Sequence, residues 1–415
     1  MRKTLHLAKK DGNMKTVEIK DQVTARQFID LPRRMYKNDP NWISPLDNDI
    51  AAVFDPARNN FFRHGTCTRW ILLDDDGNAI GRIAAFINLE KAYKHTQPTG
   101  GMGFFECIED EAAAHCLFDT ARSWLQTNGM QAMEGPINFG ENDKYWGLLV
   151  EGFKPPSLGM NYNPPYYCRL MESYGFVGLY DQLTNFLDAT VPLPERFTKI
   201  SDWVMKKPGY SFAHFSIRHK EKFFSDFAEI YNDAWSDFEN FTPLTLDTIR
   251  ESFRQMQPVM DEKIIWFAYL EQEPAAFVLC LPDVNQALKH IKGKLDLIGK
   301  LKFFWYTRTR KVDRLRITVM GCKKKFQHHG LESGLIRCLQ NEVLPRKTVK
   351  GVELAWVGDF NKKMLALHEA TGAKKEKVHR TYQYVFNPLP AEITDIKTSA
   401  LSLSPYLPSP FSDRT

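Results

Sequence analysis

The same succession of strands and helices is written twice along this chain, and that repeat narrows the folds open to it. The first copy opens with a strand at 17–20 and a helix over 25–36, where Phe28, Leu31 and Met35 share one stripe. Two apolar runs, 70–73 and 80–87, flank Asp76-Gly77, a hairpin signal. Then come a strand at 103–108, a long helix over 109–128 with Gly129 as its cap, and a strand at 131–139. A helix over 165–174 halts at Gly175, and a strand at 180–187 closes the copy.

The second copy runs strand 211–217, helices 221–235 and 246–260, and a hairpin of 264–270 with 275–281 around 272–274. It continues with strand 315–322, helix 331–344, strand 352–357, helix 362–371 stopped by Gly372, and strand 382–386. This order predicts an α/β fold (an α+β mixed sheet) with helices on both faces, in two tandem domains. A length of 415 residues suits two cores. Pro192 and Pro194 interrupt regular structure and set the expected domains at 1–190 and 191–387. Residues 388–415, rich in Pro and Ser, read as a tail outside both cores.

Composition excludes several classes. With 43% hydrophobic and 25% charged residues the chain is of globular type, and a net charge of +5 is too mild to argue for nucleic acid. Seven scattered cysteines include no Cys-x-x-Cys pair, so neither a metal site nor a disulfide framework is expected, and a reducing cytoplasm fits. No secretory signal follows the basic N-terminus, and no apolar run has the length of a bilayer span.

The chemistry is written at Ile317-Thr318-Val319-Met320-Gly321-Cys322, a basic turn Lys323-Lys324-Lys325, and Gln327-His328-His329-Gly330-Leu331-Glu332. A strand runs through a turn into a helix, which aims backbone N–H groups and a helix N-terminus at one spot suited to an anion such as a pyrophosphate. The pattern resembles the acyl-coenzyme A loop of the GCN5-related N-acetyltransferase (GNAT) superfamily, Gln/Arg-x-x-Gly-x-Gly/Ala. The later stretch Glu353-Leu354-Ala355-Trp356-Val357, Asn361, Leu367-His368-Glu369 and Gly372 is similar to that family's second motif.

The resemblance implies that acetyl-CoA or another acyl-CoA is a co-substrate, with Met320, Gly321, Cys322, Gln327, His328, His329, Gly330, Leu331 and Asn361 around it. His368 stands where the family carries a tyrosine that protonates the leaving thiolate, a task open to imidazole; the alternative is a helix histidine without a role. Glu353 is the candidate base for the acceptor amine, or else an outward-facing strand residue. Cys322 has no partner base and is not expected to act as a nucleophile. Glu332 replaces the final small residue of the loop and would repel a phosphate unless it turns away or pairs with Lys323, Lys324 or Lys325. The first half lacks the glycine turn and carries Met171 in the tyrosine position, so it is expected to help form the acceptor site.

Two further segments stand out. Within 135–165, Glu141 and Asp143 are candidates to hold a small-molecule or peptide amine, with Trp146 and Tyr162 as walls; the other reading is a packed loop. The basic insert 284–312 mixes Lys300, Lys302 and Arg308 with Leu301, Phe304 and Trp305. It reads as a helix packed by its apolar stripe, or as a peripheral membrane contact. The functional expectation is an acyl-CoA-dependent N-acyltransferase. The alternatives are an aminoacyl-tRNA-dependent transferase like the peptidoglycan bridge-forming enzymes, a protein N-terminus acceptor as in N-myristoyltransferases, and a non-catalytic acyl-CoA-binding module.

Overall fold

The structure, a computed structural model, describes residues 14–94, 97–237, 243–309 and 312–386. The expected tail 388–415 lies outside the described residues. Among the described residues fourteen strands build one sheet. In the first half Lys15–Glu18, Gly65–Leu73, Ala79–Asn88, Thr99–Cys107 and Ala132–Gly135 lie side by side. In the second half the order from the far edge is Tyr210–His214, Ile265–Leu270, Glu273–Pro282, Arg314–Cys322 and Gly351–Glu353. Both expected hairpins form. Gly77 turns the first at φ +78°, and Glu271 and Gln272 turn the second with positive φ.

The middle of the sheet departs from the sequence reading. Val177–Asp188 pairs with Gly351–Glu353 and Val357–Gly358 of the second half. Lys374–Val385 pairs with Ala132–Gly135 and Leu148–Glu151 of the first half. These two long strands also pair antiparallel with each other. Each strand expected to close its own half therefore completes the other half, and the sheet runs unbroken across the region near 190.

Helices cover both faces. In the first half Glu111–Thr127 and Tyr166–Tyr174 bury Leu117, Phe118, Leu125, Tyr167 and Leu170 in one core, while Gln22–Met35 packs Phe28 against Ile71 on the other face. In the second half Leu331–Val343 and Glu195–Met205 cover one face and Lys220–Trp235 with Leu246–Met256 the other. The insert forms Asn285–Leu288 and Leu297–Arg308 and reaches the first half. There Leu288 and Ile291 pack on Ile43, Lys289 Nζ donates to Pro40 O at 2.8 Å, and Asn285 Nδ2 donates to Pro156 O at 2.7 Å.

Candidate active site

Arg314–Cys322 and Gly351–Glu353 pair in parallel only through Arg316 and Glu353, and then part. A register shift against Leu279–Cys280 bulges the strand at Thr318, which is exposed. From Ile317 to Cys322 the edge facing the gap has no strand partner among the described residues. At the end of this strand Lys324–Phe326 makes one short turn. His328 and Gly330 take φ +68° and +79°, and the 13-residue helix Leu331–Val343 begins. The amides of Gly330, Leu331 and Ser333 have no protein acceptor among the described residues. An open strand edge leading to a helix N-terminus is a seat for an extended chain that ends in an anion.

The lysines of the turn are already engaged. Lys323 pairs with Glu229 and, at 2.8 Å, with Glu273; Lys325 pairs with Glu273 at 2.8 Å and Lys324 with Asp237. The Lys324 amide donates to Asp233 Oδ2 at 2.7 Å. None of the three pairs with Glu332, whose carboxyl pKa is pushed up by burial. An anion placed at this helix end would therefore meet amides and the helix dipole rather than lysine charge.

The other expected cofactor residues divide. Met320, Cys322 and Leu331 face the core, and burial pushes the Cys322 thiol pKa up. Gly321 lies under Trp235, whose ring carbon is 2.6 Å from where a Cβ would stand. His328 is exposed, His329 Nδ1 is 3.1 Å from Tyr210 OH, and Gln327 is half-buried beside them. Asn361 caps its helix by accepting from the Met364 amide at 3.1 Å.

His368 is buried, with Asn185 Nδ2 2.9 Å from its Nδ1. With that amide as donor, the ring proton sits on Nε2. Burial lowers the imidazole pKa to about 4, so the ring is neutral at physiological pH. It is a hydrogen-bond donor there, not the imidazolium acid that its ordinary pKa suggested.

Glu353 requires correction. It is fully buried, 2.8 Å from Lys377 Nζ and 3.5 Å from Arg316 Nε. Burial works to raise its pKa, but Lys377, Arg316 and Arg314 outweigh that and hold it at about 2. A carboxylate so well paired is a poor proton acceptor, and its place is structural.

The long loop also sorts its candidates. Trp146 is buried and donates through Nε1 to Tyr180 OH at 2.8 Å. Tyr162 OH donates to Asp39 Oδ2 at 2.7 Å, away from Trp146. Glu141 and Asp143 are exposed; Glu141 lies 3.7 Å from Lys91 Nζ. The four expected acceptor-site residues therefore do not converge: Trp146 lines a small open cleft without the other three. The acid in that cleft is Glu134, which sequence reasoning passed over as one letter in a buried strand.

These features define a tandem GNAT fold: two halves, each with a pair of parallel strands that part after three paired residues. A tandem GNAT protein from the clavulanic acid biosynthesis pathway superposes with a TM-score of 0.52 at 12% identity, over 91% of this chain and 100% of that one. The glucosamine N-acetyltransferase region of a fungal multi-domain GH3 β-N-acetylglucosaminidase also gives 0.52, at 11% identity over 90% of this chain and 38% of that one. No protein-family model matches the chain. Among curated proteins it is 30% identical over 394 residues to the bacterial ceramide synthase of Caulobacter vibrioides (strain NA1000 / CB15N), covering 90% of this chain and 98% of the relative. The chain belongs to that family. Protein YghO of Escherichia coli (strain K12) is 27% identical over 372 residues, 86% of this chain and 92% of that protein.

Proposed function

We propose that this protein is an acyl-CoA-dependent N-acyltransferase that joins an acyl group to the amine of a long-chain amino alcohol, the bond that makes a ceramide. One observation carries the donor: the gap beside Ile317–Cys322 ends at the free amides around Gly330. Pantetheine would lie along the open edge, with its pyrophosphate at the helix N-terminus. The retained glycine turn favours acyl-CoA over a charged tRNA. The name of the Caulobacter relative supports the acceptor.

In this reading the free amine attacks the thioester carbonyl, a strand N–H stabilises the oxyanion, and the amide forms as the C–S bond breaks; the proton shed by the amine nitrogen passes through solvent to the thiolate, which leaves as CoA thiol. His368, neutral with its proton on Nε2, offers the thiolate a hydrogen bond. Glu353 does not take the amine's proton.

Lipid-sized substrates are consistent with the insert. Leu297, Ile298, Leu301, Phe304 and Trp305 are between 46% and 75% exposed. At 3.6 residues per turn they fall within an arc of about 120°, with Lys300 on one side of it and Lys302 on the other. Phe303 packs inward on Ile43, Leu288 and Ile291. An outward apolar stripe flanked by ammonium groups suits the interface of an anionic bilayer. No helix among the described residues is long and apolar enough to cross a membrane.

The test is turnover: purified protein, acetyl-CoA or palmitoyl-CoA, and a long-chain amino alcohol in detergent micelles. Free thiol should appear together with an amide identified by mass spectrometry. If neither thioester is consumed and neither CoA nor acyl-CoA raises the melting temperature, the proposal fails.

A further inference from the structure

The cleft beside Trp146 has a lining that neither the acyl-CoA seat nor the family explains. Phe61, Phe86, Phe139 and Trp146 wall it; the rings of Phe86 and Phe139 are 5.4 Å apart and those of Phe61 and Phe139 5.9 Å. Glu134, 2% exposed, lies among them. Its one hydrogen bond among the described residues comes from Gln383 Nε2 at 3.1 Å, and no cation pairs with it there. Asn138 also lines the cleft, is 8% exposed, and leaves its Oδ1 without a donor.

A carboxylate, an unpartnered amide oxygen and four aromatic faces are all electron-rich. Together they ask for a ligand that is cationic and rich in N–H donors. We propose that this cleft binds the ammonium group of a primary alkylamine, with Glu134 as counter-ion, Asn138 Oδ1 as a second acceptor and the aromatic walls holding its first carbons. The chain itself shows the fit of such a group: Lys91 Nζ lies 5.7 Å from the Phe61 ring centroid at the rim, with Glu141 3.7 Å away on its outer side.

The site is separate from the acyl-CoA seat. Glu134 and Glu353 stand three strand spacings apart across Lys374–Val385 and Val177–Asp188 and near opposite ends of those strands: Glu134 is level with Gln383 and Val177, Glu353 with Lys374 and Phe186, an offset of roughly 30 Å along the strand. The charged or titratable groups facing Glu134 are few. Lys91 lines the cleft, and Tyr180 lies close enough to feel the Glu134 charge. Burial pushes the Glu134 pKa up to about 7, so its charge is gained between mildly acidic and alkaline pH while an alkylamine stays protonated.

The experiment is titration calorimetry of the full chain with n-butylammonium chloride, with butan-1-ol as the neutral control, at pH 8 and pH 5.5. Saturable binding is expected at pH 8, at least tenfold weaker binding at pH 5.5, and none for the alcohol. Glu134→Gln should lose the binding, and Phe139→Leu should weaken it severalfold while leaving the carboxylate in place. Equal binding by wild type and E134Q, equal binding of amine and alcohol, or no saturable binding at pH 8 overturns the proposal. Thermal shift with CoA, run in parallel, reports on the acyl-CoA seat, so failure of one site is distinguishable from failure of the other.

Discussion

Glu134 and Glu353 occupy matching places in the two halves: each is the last residue paired in parallel before its strands part, Glu134 opposite Gly101 and Glu353 opposite Arg316. Glycine on one side and arginine on the other make their environments opposite. Glu353 is clamped by Lys377 and Arg316, whereas among the described residues Glu134 is hydrogen-bonded by the Gln383 amide alone. Burial without a counter-ion raises one pKa to about 7, and paired cations hold the other near 2.

That contrast sets the stability of Glu134→Gln. The folded pKa of about 7 exceeds the ordinary 4.5, so ionising Glu134 costs stability as pH rises from 4.5 through 7. The variant should gain up to about 3 kcal/mol over wild type at pH 8 and nothing at pH 4. Urea unfolding at both pH values measures it.

The Glu353–Lys377 pair should behave in the reverse sense. Its folded pKa of about 2 is below 4.5, so its contribution is present above pH 4.5 and lost as pH falls towards 2. Glu353→Gln or Lys377→Met alone should cost up to about 3–5 kcal/mol, because the buried charge left behind keeps only its longer contact, Glu376 at 3.2 Å for Lys377 or Arg316 at 3.5 Å for Glu353, and the double variant should recover part of that. Near-normal stability of both single variants would show that the pair is not what holds the mid-sheet strands together.

Gly330→Ala should weaken CoA binding at least tenfold. The backbone there is left-handed, and a Cβ would stand 2.9 Å from Val204 Cγ2, so the turn that aims the helix amides must shift. Thermal shift against CoA concentration compares the two proteins.

His368 should titrate far from its ordinary range. Its pKa near 4 lies below 6.5, so neutral-ring stability is full above pH 6.5 and declines as pH falls towards 4. NMR of the ring should show it neutral at pH 6, and the rate should show no inflection near 6.5 from this group. His368→Phe should lower kcat by about 10–100-fold, while His368→Gln, which keeps a donor, should lose less.

Leu301→Glu combined with Trp305→Glu should abolish sedimentation with vesicles containing phosphatidylglycerol, with little change in melting temperature because both side chains are exposed. Unchanged sedimentation would mean that the outward stripe of Leu297–Arg308 is not the contact.

Much of the plan was legible because it is local. Asp76-Gly77 marks a hairpin through backbone geometry, and Gln327 to Leu331 marks a strand-to-helix turn through its glycine. Other features were not. The last strand was expected only at 382–386, yet Lys374–Val385 is a full central strand with Lys377, His379 and Thr381 buried. Lys377 tolerates that position because Glu353, 24 positions earlier, meets it there. The insert's stripe pattern was readable, but its outward direction depends on Phe303 meeting Ile43 and Leu288.

The sequence by itself determined the doubled order of elements and the place of the glycine turn before Leu331–Val343, since period, glycine and capping act over a few residues. Only the tertiary structure decided that the closing strands trade halves and that Glu353 is a clamped ion rather than a base. It also decided that Glu134 sits uncompensated among aromatic rings. A carboxyl group's charge state depends on what lies within a few ångströms of it, and those neighbours come from parts of the chain that local patterns do not connect.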